Sequence, residues 1–458
     1  MDRKLPFSSL VVIGTMLFAL FFGAGNLIFP AQLGQEAGTN FWPAVIGFLI
    51  TGVGLPFLGI LAIGFSGSAN LQELASRIHP IYAILFTSML YLTIGPFFAA
   101  PRTGAVAFDI GIVPFLNGAD PLIPRFIFTA IFFGVTIWLS LNPQKIADRV
   151  GKFLSPAIII LLLALLAVAL FSPMGSFQAP SSTYLSGAFG KGFTEGYNTM
   201  DALASLVFGI IVITIVRSMG VQSKKGIVAA TFKTGIVAAG FLGILYVGIA
   251  YLGASSVESL GMLDSGGAVL TSVATYYFGQ AGLVLLGVVI LLACLTTSIG
   301  LMTACGEYFH TLIPALSYKW IVSTFTVFCF IVSNIGLNNI ITYSIPVLLF
   351  LYPLAITLML LTFVSPLFGH ARIVYIAVTV VAMLISIVDG LAALADTLPG
   401  GKLEHLIEPI TAFYSKFLPL YDNGLGWLFP TLIVIVVLGV IVRVTGISSQ
   451  QSITAGKE

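Results

Sequence analysis

Residues 21–30 read FFGAGNLIFP, inside an apolar run that begins at Leu10 and otherwise suits a membrane helix. Gly23, Gly25 and Asn26, followed by Pro30, interrupt it. Lipid offers no partner to a backbone group released from a helix. Non-helical backbone at membrane depth therefore persists only where protein or a water-filled cavity satisfies it. A break here frees amide N–H groups at the start of the second half-helix and carbonyls at the end of the first. The amide end attracts an anion such as a carboxylate, and the carbonyl end attracts a cation. One broken helix can thus receive both ends of a zwitterion. The competing reading is a Gly/Pro kink whose small residues serve close helix packing.

The surrounding sequence sets the class. The chain has 458 residues, 58% of them hydrophobic and 8% charged, whereas an ordinary soluble protein is about a quarter charged. Apolar stretches of bilayer-crossing length recur throughout, so the fold class is an all-α polytopic membrane protein. Twelve spans are expected, at 7–36, 41–65, 80–113, 125–141, 149–172, 194–218, 226–252, 281–313, 318–335, 341–364, 371–392 and 426–444. With the N-terminus inside, only Arg102, Arg125, Lys191, Lys402 and Lys416 of the 19 Lys and Arg residues miss the inner side. This bias places both termini in the cytoplasm. The opening MDRK and its apolar run also resemble a secretory signal, but a polytopic chain of this length is expected to keep its first span.

The three cysteines lie in or beside spans, and the four histidines are scattered without metal-ligand spacing. No GxxxxGK[ST] loop is present, which argues against an ATP-driven pump working from this chain alone. The net charge of +2 sits in loops between helices and points to no nucleic-acid partner. No obligatory protein partner is evident; the expected surroundings are the lipid bilayer.

A second interrupted helix decides between the two readings of the first. Span 6 contains TEGYNTMDALASLVFG, residues 194–209, broken by Glu195, Gly196, Asn198, Asp201 and Ser205. Spans 1–5 and 6–10 form two sets of five, each opening on a broken helix, and an odd number of spans inverts the second set. Paired breaks at matching positions in two halves are the best sequence pointer to a transporter binding site. The expected organisation is a first inverted repeat over 1–172, with its helix 1 broken at 23–26. A second repeat follows over 173–364, with its helix 6 broken near 198–206, and two further helices and a cytoplasmic tail occupy 365–458.

Span 8 carries a third irregularity, ACLTTSIGLMT at 293–303, with Thr296, Thr297 and Ser298 in succession. Such hydroxyls commonly bond back to their own helix or to a neighbour. Sodium prefers hard oxygen ligands, however, and a Thr pair facing the open carbonyls of span 1 would supply them without added charge.

These residues carry a resemblance. GAGNLIFP in a broken first helix, SLVFGI in span 6 and ACLTTSIGLM in span 8 resemble the signatures of the leucine-transporter-type fold. FFGAGNLIFP, PRTGAVAFD and EGYNTMDALASLVFG are similar to the bacterial branched-chain amino acid carrier family, along nearly the full chain. The resemblance implies a 5+5 inverted repeat plus two C-terminal helices in the bacterial inner membrane. It also implies cation-coupled, alternating-access import of leucine, isoleucine and valine. Carried over by motif position, the backbone around Ala24, Gly25 and Asn26 would hold the substrate carboxylate. Ser205 would lie in the span 6 break, and Phe208 would close over the substrate. Sodium, the implied coupling ion, would take the carbonyls of Ala19, Phe22 and Ala293 with the hydroxyls of Thr296 and Thr297. NLIFP has no Arg between Asn26 and Pro30, so the outer-gate ion pair of several relatives is not transferred.

Charges at membrane depth are functional candidates by default. Arg102, Glu195 and Asp201 are the candidate gating or coupling charges, with Arg102 expected to pair with Asp201 or Glu195. Arg102 and Asp109 are seven residues apart and share a helix face. Two alternatives stay open. A buried Asp201 could carry a proton in place of sodium, giving a proton-coupled carrier of another small amphipathic solute. The apolar stretch of span 5, FLSPAIIILLLALLAVALF at 153–171, contains no Lys to stand in for sodium, which favours sodium. Asp201 and Glu195 could also serve as the acid and base of an intramembrane enzyme, although no nucleophile motif accompanies them.

Overall fold

Apolar residues carry the first helix, α1, from Phe7 to Phe21. The chain then leaves helical geometry at Phe22 and Gly23 and resumes as α2, Ala24–Ala37. The computed structural model describes residues 5–116, 118–141, 159–160, 162–398 and 402–445. The break thus falls at 22–23, and Ala24, Gly25 and Asn26 form the first turn of the second half-helix rather than an unwound stretch. Gly38, at φ 47°, ends α2 in the left-handed region, and the second span follows as α3 (Phe41–Leu49) and α4 (Leu55–Ser66).

The third span divides into α5 (Pro80–Leu92) and α6 (Ala99–Gly111) around Gly95, whose φ and ψ are non-helical, and Pro96. Next come α7 (Leu122–Ser140) and α8 (Leu162–Phe171). The second half opens with α9 (Ala188–Glu195) and α10 (Asp201–Ser218), then α11 (Lys224–Leu260) and α12 (Gly266–Leu312). It closes with α13 (Tyr318–Ser333) and α14 (Leu337–Val364). Outside the two halves lie α15 (Arg372–Thr397), α16 (Lys402–Phe417) and α17 (Leu428–Thr445). Among the described residues nine stretches are long and apolar enough to cross a membrane, with α1, α8 and α13 as shorter apolar helices. Among the described residues these are consistent with the twelve expected positions, since Ala24–Ser66 covers the second half of span 1 and all of span 2.

Several boundaries differ from expectation. The span 6 break is at 196–200, not 198–206. A 3-10 turn over Gly196–Thr199 leads into Met200, at φ 62°, and regular helix begins at Asp201. A left-handed turn at a non-glycine residue is uncommon and here redirects the chain. Ser205 therefore sits in the second turn of α10 rather than in the break. Span 8 begins after a break at Gly279 (φ 59°, ψ -148°), close to its expected start at 281, and a separate helical stretch from Gly266 precedes it. The loop 393–425 is partly helical: α16 occupies 402–417, and Trp427 beyond it is buried. Arg3, Lys4, Lys145, Arg149, Lys152 and Lys457 of the orientation argument, and the start of span 5 at 149–158, lie outside the described residues.

Large apolar side chains such as Phe7, Ile131, Trp138 and Val436 are exposed on the periphery, as lipid contact requires. The interior is instead rich in small residues, and α2 and α11 approach to backbone contact. A Cβ on Gly34 would lie 1.8 Å from the Ala250 carbonyl oxygen, and one on Gly253 would lie 2.1 Å from that of Ala31. Small residues let membrane helices pack this closely. At one end of the bundle, Arg372 Nε donates to the Ile78 carbonyl at 3.0 Å and Arg77 Nη2 to that of Ser66 at 2.9 Å. These two cations of the inner-side set thus lie at the same end.

Candidate substrate and ion site

The two helix breaks meet. Gly23 N–H donates to Asn26 Oδ1 at 3.0 Å, where a continuous helix would have sent it to the Ala19 carbonyl. The asparagine side chain thereby caps α2, satisfying one released donor. Its amide faces the other way, donating to Asp201 Oδ2 at 2.6 Å, and it also meets the Tyr246 hydroxyl. Tyr246 donates to the same carboxylate oxygen at 2.6 Å. Asn26, Asp201 and Tyr246 are all nearly inaccessible. A buried carboxylate is tolerable only when such donors surround it. The triad ties α2, α10 and α11 at one point, so Asn26 serves the architecture of the break itself.

A cavity of about 30 Å³ lies beside this junction. Gly25, Asn26, Arg102, Thr199 and Asp201 form its polar wall, and Leu20, Phe21, Ile94, Phe208 and Leu301 its apolar one. That volume holds roughly one water, so an amino acid enters only when these walls separate. The rings of Phe21 and Phe208 lie 6.1 Å apart at 49° and form part of the apolar wall. Nearby, the rings of Tyr197 and Tyr352 stack at 4.0 Å, packing the span 6 break against α14.

The structure sorts the sequence-derived candidates. Ala24, Gly25, Asn26 and Phe208 line the cavity. Ser205 does not. Its hydroxyl bonds back to the Ala202 carbonyl at 2.7 Å, and it packs where a Cβ on Gly59 would stand 1.9 Å from Oγ. Thr297 reaches the first break: its hydroxyl is 3.5 Å from the Phe22 carbonyl oxygen and 2.9 Å from where a Gly23 Cβ would be. Thr296 instead donates to the Ala293 carbonyl at 2.8 Å, within its own helix. Phe22 and Thr297 are therefore brought together, while Ala293 and Thr296 are bonded to each other. Ala19 lies in the last turn of α1, its usual helical donor diverted to Asn26.

The charges pair differently from expectation. Glu195 is held by Lys191 at 2.7 Å and by Asn198 Nδ2 at 2.9 Å, outside the cavity lining. Asp109 faces Arg125 of α7 at 3.5 Å rather than Arg102. Arg102 forms no ion pair with Asp201 or Glu195 and donates Nη1 to the Asn198 carbonyl at 2.7 Å. Sequence reasoning missed Tyr246. It is one of two tyrosines in the apolar stretch FLGILYVGIAYLG; nothing local separates it from Tyr251, and only tertiary contact assigns it.

Comparison with known proteins decides what this site belongs to. The model of the family described as branched-chain amino acid transport protein matches residues 7–445. The chain belongs to that family. It is 50% identical over 432 residues to the branched-chain amino acid permease BrnQ of Bacillus subtilis, covering 94% of this chain and 96% of that one. It is 47% identical over 450 residues to BraB of the same organism, covering 98% and 99%. The solved structure of MhsT in complex with L-phenylalanine is similar at TM-score 0.57 and 17% identity, covering 94% of this chain and 98% of that one. That likeness shows the leucine-transporter-type fold. The chain is thus a multi-pass membrane carrier and not an enzyme, and Asp201 and Glu195 are not an acid–base pair.

Proposed function

We propose that this carrier imports leucine, isoleucine and valine together with sodium, by alternating access across a bacterial inner membrane, with both termini cytoplasmic. The observation that carries the reading is the meeting of two helix breaks in one cavity. That cavity offers an amide end, a carbonyl end and an apolar wall to one small zwitterion. A methylene in an apolar pocket discriminates by only about 1–3 kcal/mol, so the three aliphatic amino acids share such a site. The names of the two Bacillus subtilis relatives support the substrate class.

Support for sodium is the pairing of the Thr297 hydroxyl with the Phe22 carbonyl, a neutral set of hard oxygens. Ala19, Ala293 and Thr296 complete the proposed set once the Thr296 hydroxyl leaves its own backbone. The rival proton-coupled reading rests on Asp201, a buried carboxylate with no cation within ion-pair reach among the described residues. Radiolabelled leucine uptake into proteoliposomes, at fixed pH with sodium replaced by choline, separates them. The sodium reading expects uptake to collapse in choline, and undiminished uptake there sinks it.

Thr297→Ala tests the ion site directly. Removing one hard ligand should raise the sodium concentration for half-maximal uptake at least tenfold. Thermal stability should change little, because the hydroxyl makes only a 3.5 Å contact. An unchanged sodium titration removes Thr297 from the site.

A further inference from the structure

Arg102 is a buried cation with most of its donors unused. The residue is 3% exposed, and among the described residues no carboxylate lies within ion-pair distance of it. Its Nη1 has one protein acceptor, the Asn198 carbonyl. Its Nε is buried without a partner. The face of Phe29 stands against Cζ, 5.1 Å from the ring centre, and holds the guanidinium plane in place. Asp201 lines the same cavity, but its Oδ2 accepts from both Asn26 and Tyr246.

The direction of the guanidinium matters most. Nη2 lies against the first turn of α2, so a Cβ on Gly25 would stand 2.7 Å from it. A fixed cation and the amide end of a helix, both of which attract anions, thus converge on one point of the cavity lining. A buried guanidinium with spare donors and no carboxylate in ion-pair contact is costly unless an anion completes it.

We infer that Arg102 is the substrate's carboxylate anchor: the guanidinium and the first turn of α2 at Gly25 together receive the α-carboxylate of the transported amino acid. The inference rests on the amino-acid substrate proposed above and adds a side-chain charge to a site otherwise built from backbone. It also gives Gly25 a reason to be glycine, since any side chain there displaces the guanidinium.

The test is ligand-dependent thermal stabilisation of the purified carrier with leucine and with leucinamide, which keeps the side chain and ammonium but lacks the carboxylate. Wild type should favour leucine at least a hundredfold. Arg102→Gln should bring that preference within tenfold, weakening leucine while leaving leucinamide nearly unchanged. Arg102→Lys should keep part of the preference, because an ammonium carries the charge without the fork. Gly25→Ala leaves the arginine in the chain but pushes it aside, and should erode the preference too. It decides the question if Arg102→Gln fails to fold. An equal loss for both ligands, or a leucine preference intact in Arg102→Gln or Gly25→Ala, overturns the inference alone. Wild-type protein that binds no leucine at all overturns the substrate reading itself.

Discussion

Replacing Asp201 by alanine should abolish leucine uptake, to at least a hundredfold below wild type at matched protein incorporation. The carboxylate is where the two breaks are joined. It accepts from Asn26 at 2.6 Å and from Tyr246 at 2.6 Å, and Asn26 in turn caps the Gly23 N–H. Without it, two buried donors lose their acceptor, at about 1–3 kcal/mol each. Asn26 is then free to turn, which releases the cap on α2 and disturbs the cavity wall. Tyr246→Phe is the graded comparison. It removes one donor and leaves the Asn26–Asp201 bond, so it should cost about 1 kcal/mol of stability and leave measurable uptake. Near-normal transport by the Asp201→Ala carrier would mean that the junction is ornamental.

Gly34→Val should have the larger effect on folding. The added Cβ meets the Ala250 carbonyl oxygen at 1.8 Å and its carbon at 2.6 Å. This is backbone, so no rotamer change relieves the clash. Overpacking commonly costs about 1–3 kcal/mol, occasionally more, and here α2 and α11 must separate. Tyr246 sits one turn before Ala250 on α11, so the same separation pulls its hydroxyl from Asp201. The expected result is loss of monodisperse, heat-resistant protein together with loss of uptake. Gly240→Ala on the same helix is the control, since a Cβ there meets nothing within 4 Å. Equal melting of the two variants would refute the seam.

Both helix breaks were legible in the chain. Backbone that cannot stay helical at Gly23 or around Gly196–Asn198 declares itself locally, because lipid cannot satisfy the glycines and polar residues that gather there in an apolar run. The Thr296–Thr297 pair stood out in the same way, though only Thr297 faces the first break. Extents were harder to read. Ser205 looked part of the second interruption because it is polar, yet a serine can hide its hydroxyl on the preceding turn of a regular helix, as it does on Ala202. The division of span 3 at Gly95 and Pro96 is hidden by continuous hydrophobicity.

Lipid imposes length and apolarity on each segment independently of its neighbours, so the class, the two interrupted helices and the positions of the apolar spans are readable from the chain alone. The partners are set by the tertiary structure. It assigned Asp201 to Asn26 and Tyr246, Glu195 to Lys191, and Asp109 to Arg125, and it left Arg102 facing Gly25 with no carboxylate in ion-pair contact. Hydrogen bonds and ion pairs depend on ångström-scale approach between helices distant in the chain, and no local pattern encodes that approach. FFGAGNLIFP holds a break only two residues long, kept open by its own asparagine, and a buried arginine stands over the amide end that the break exposes.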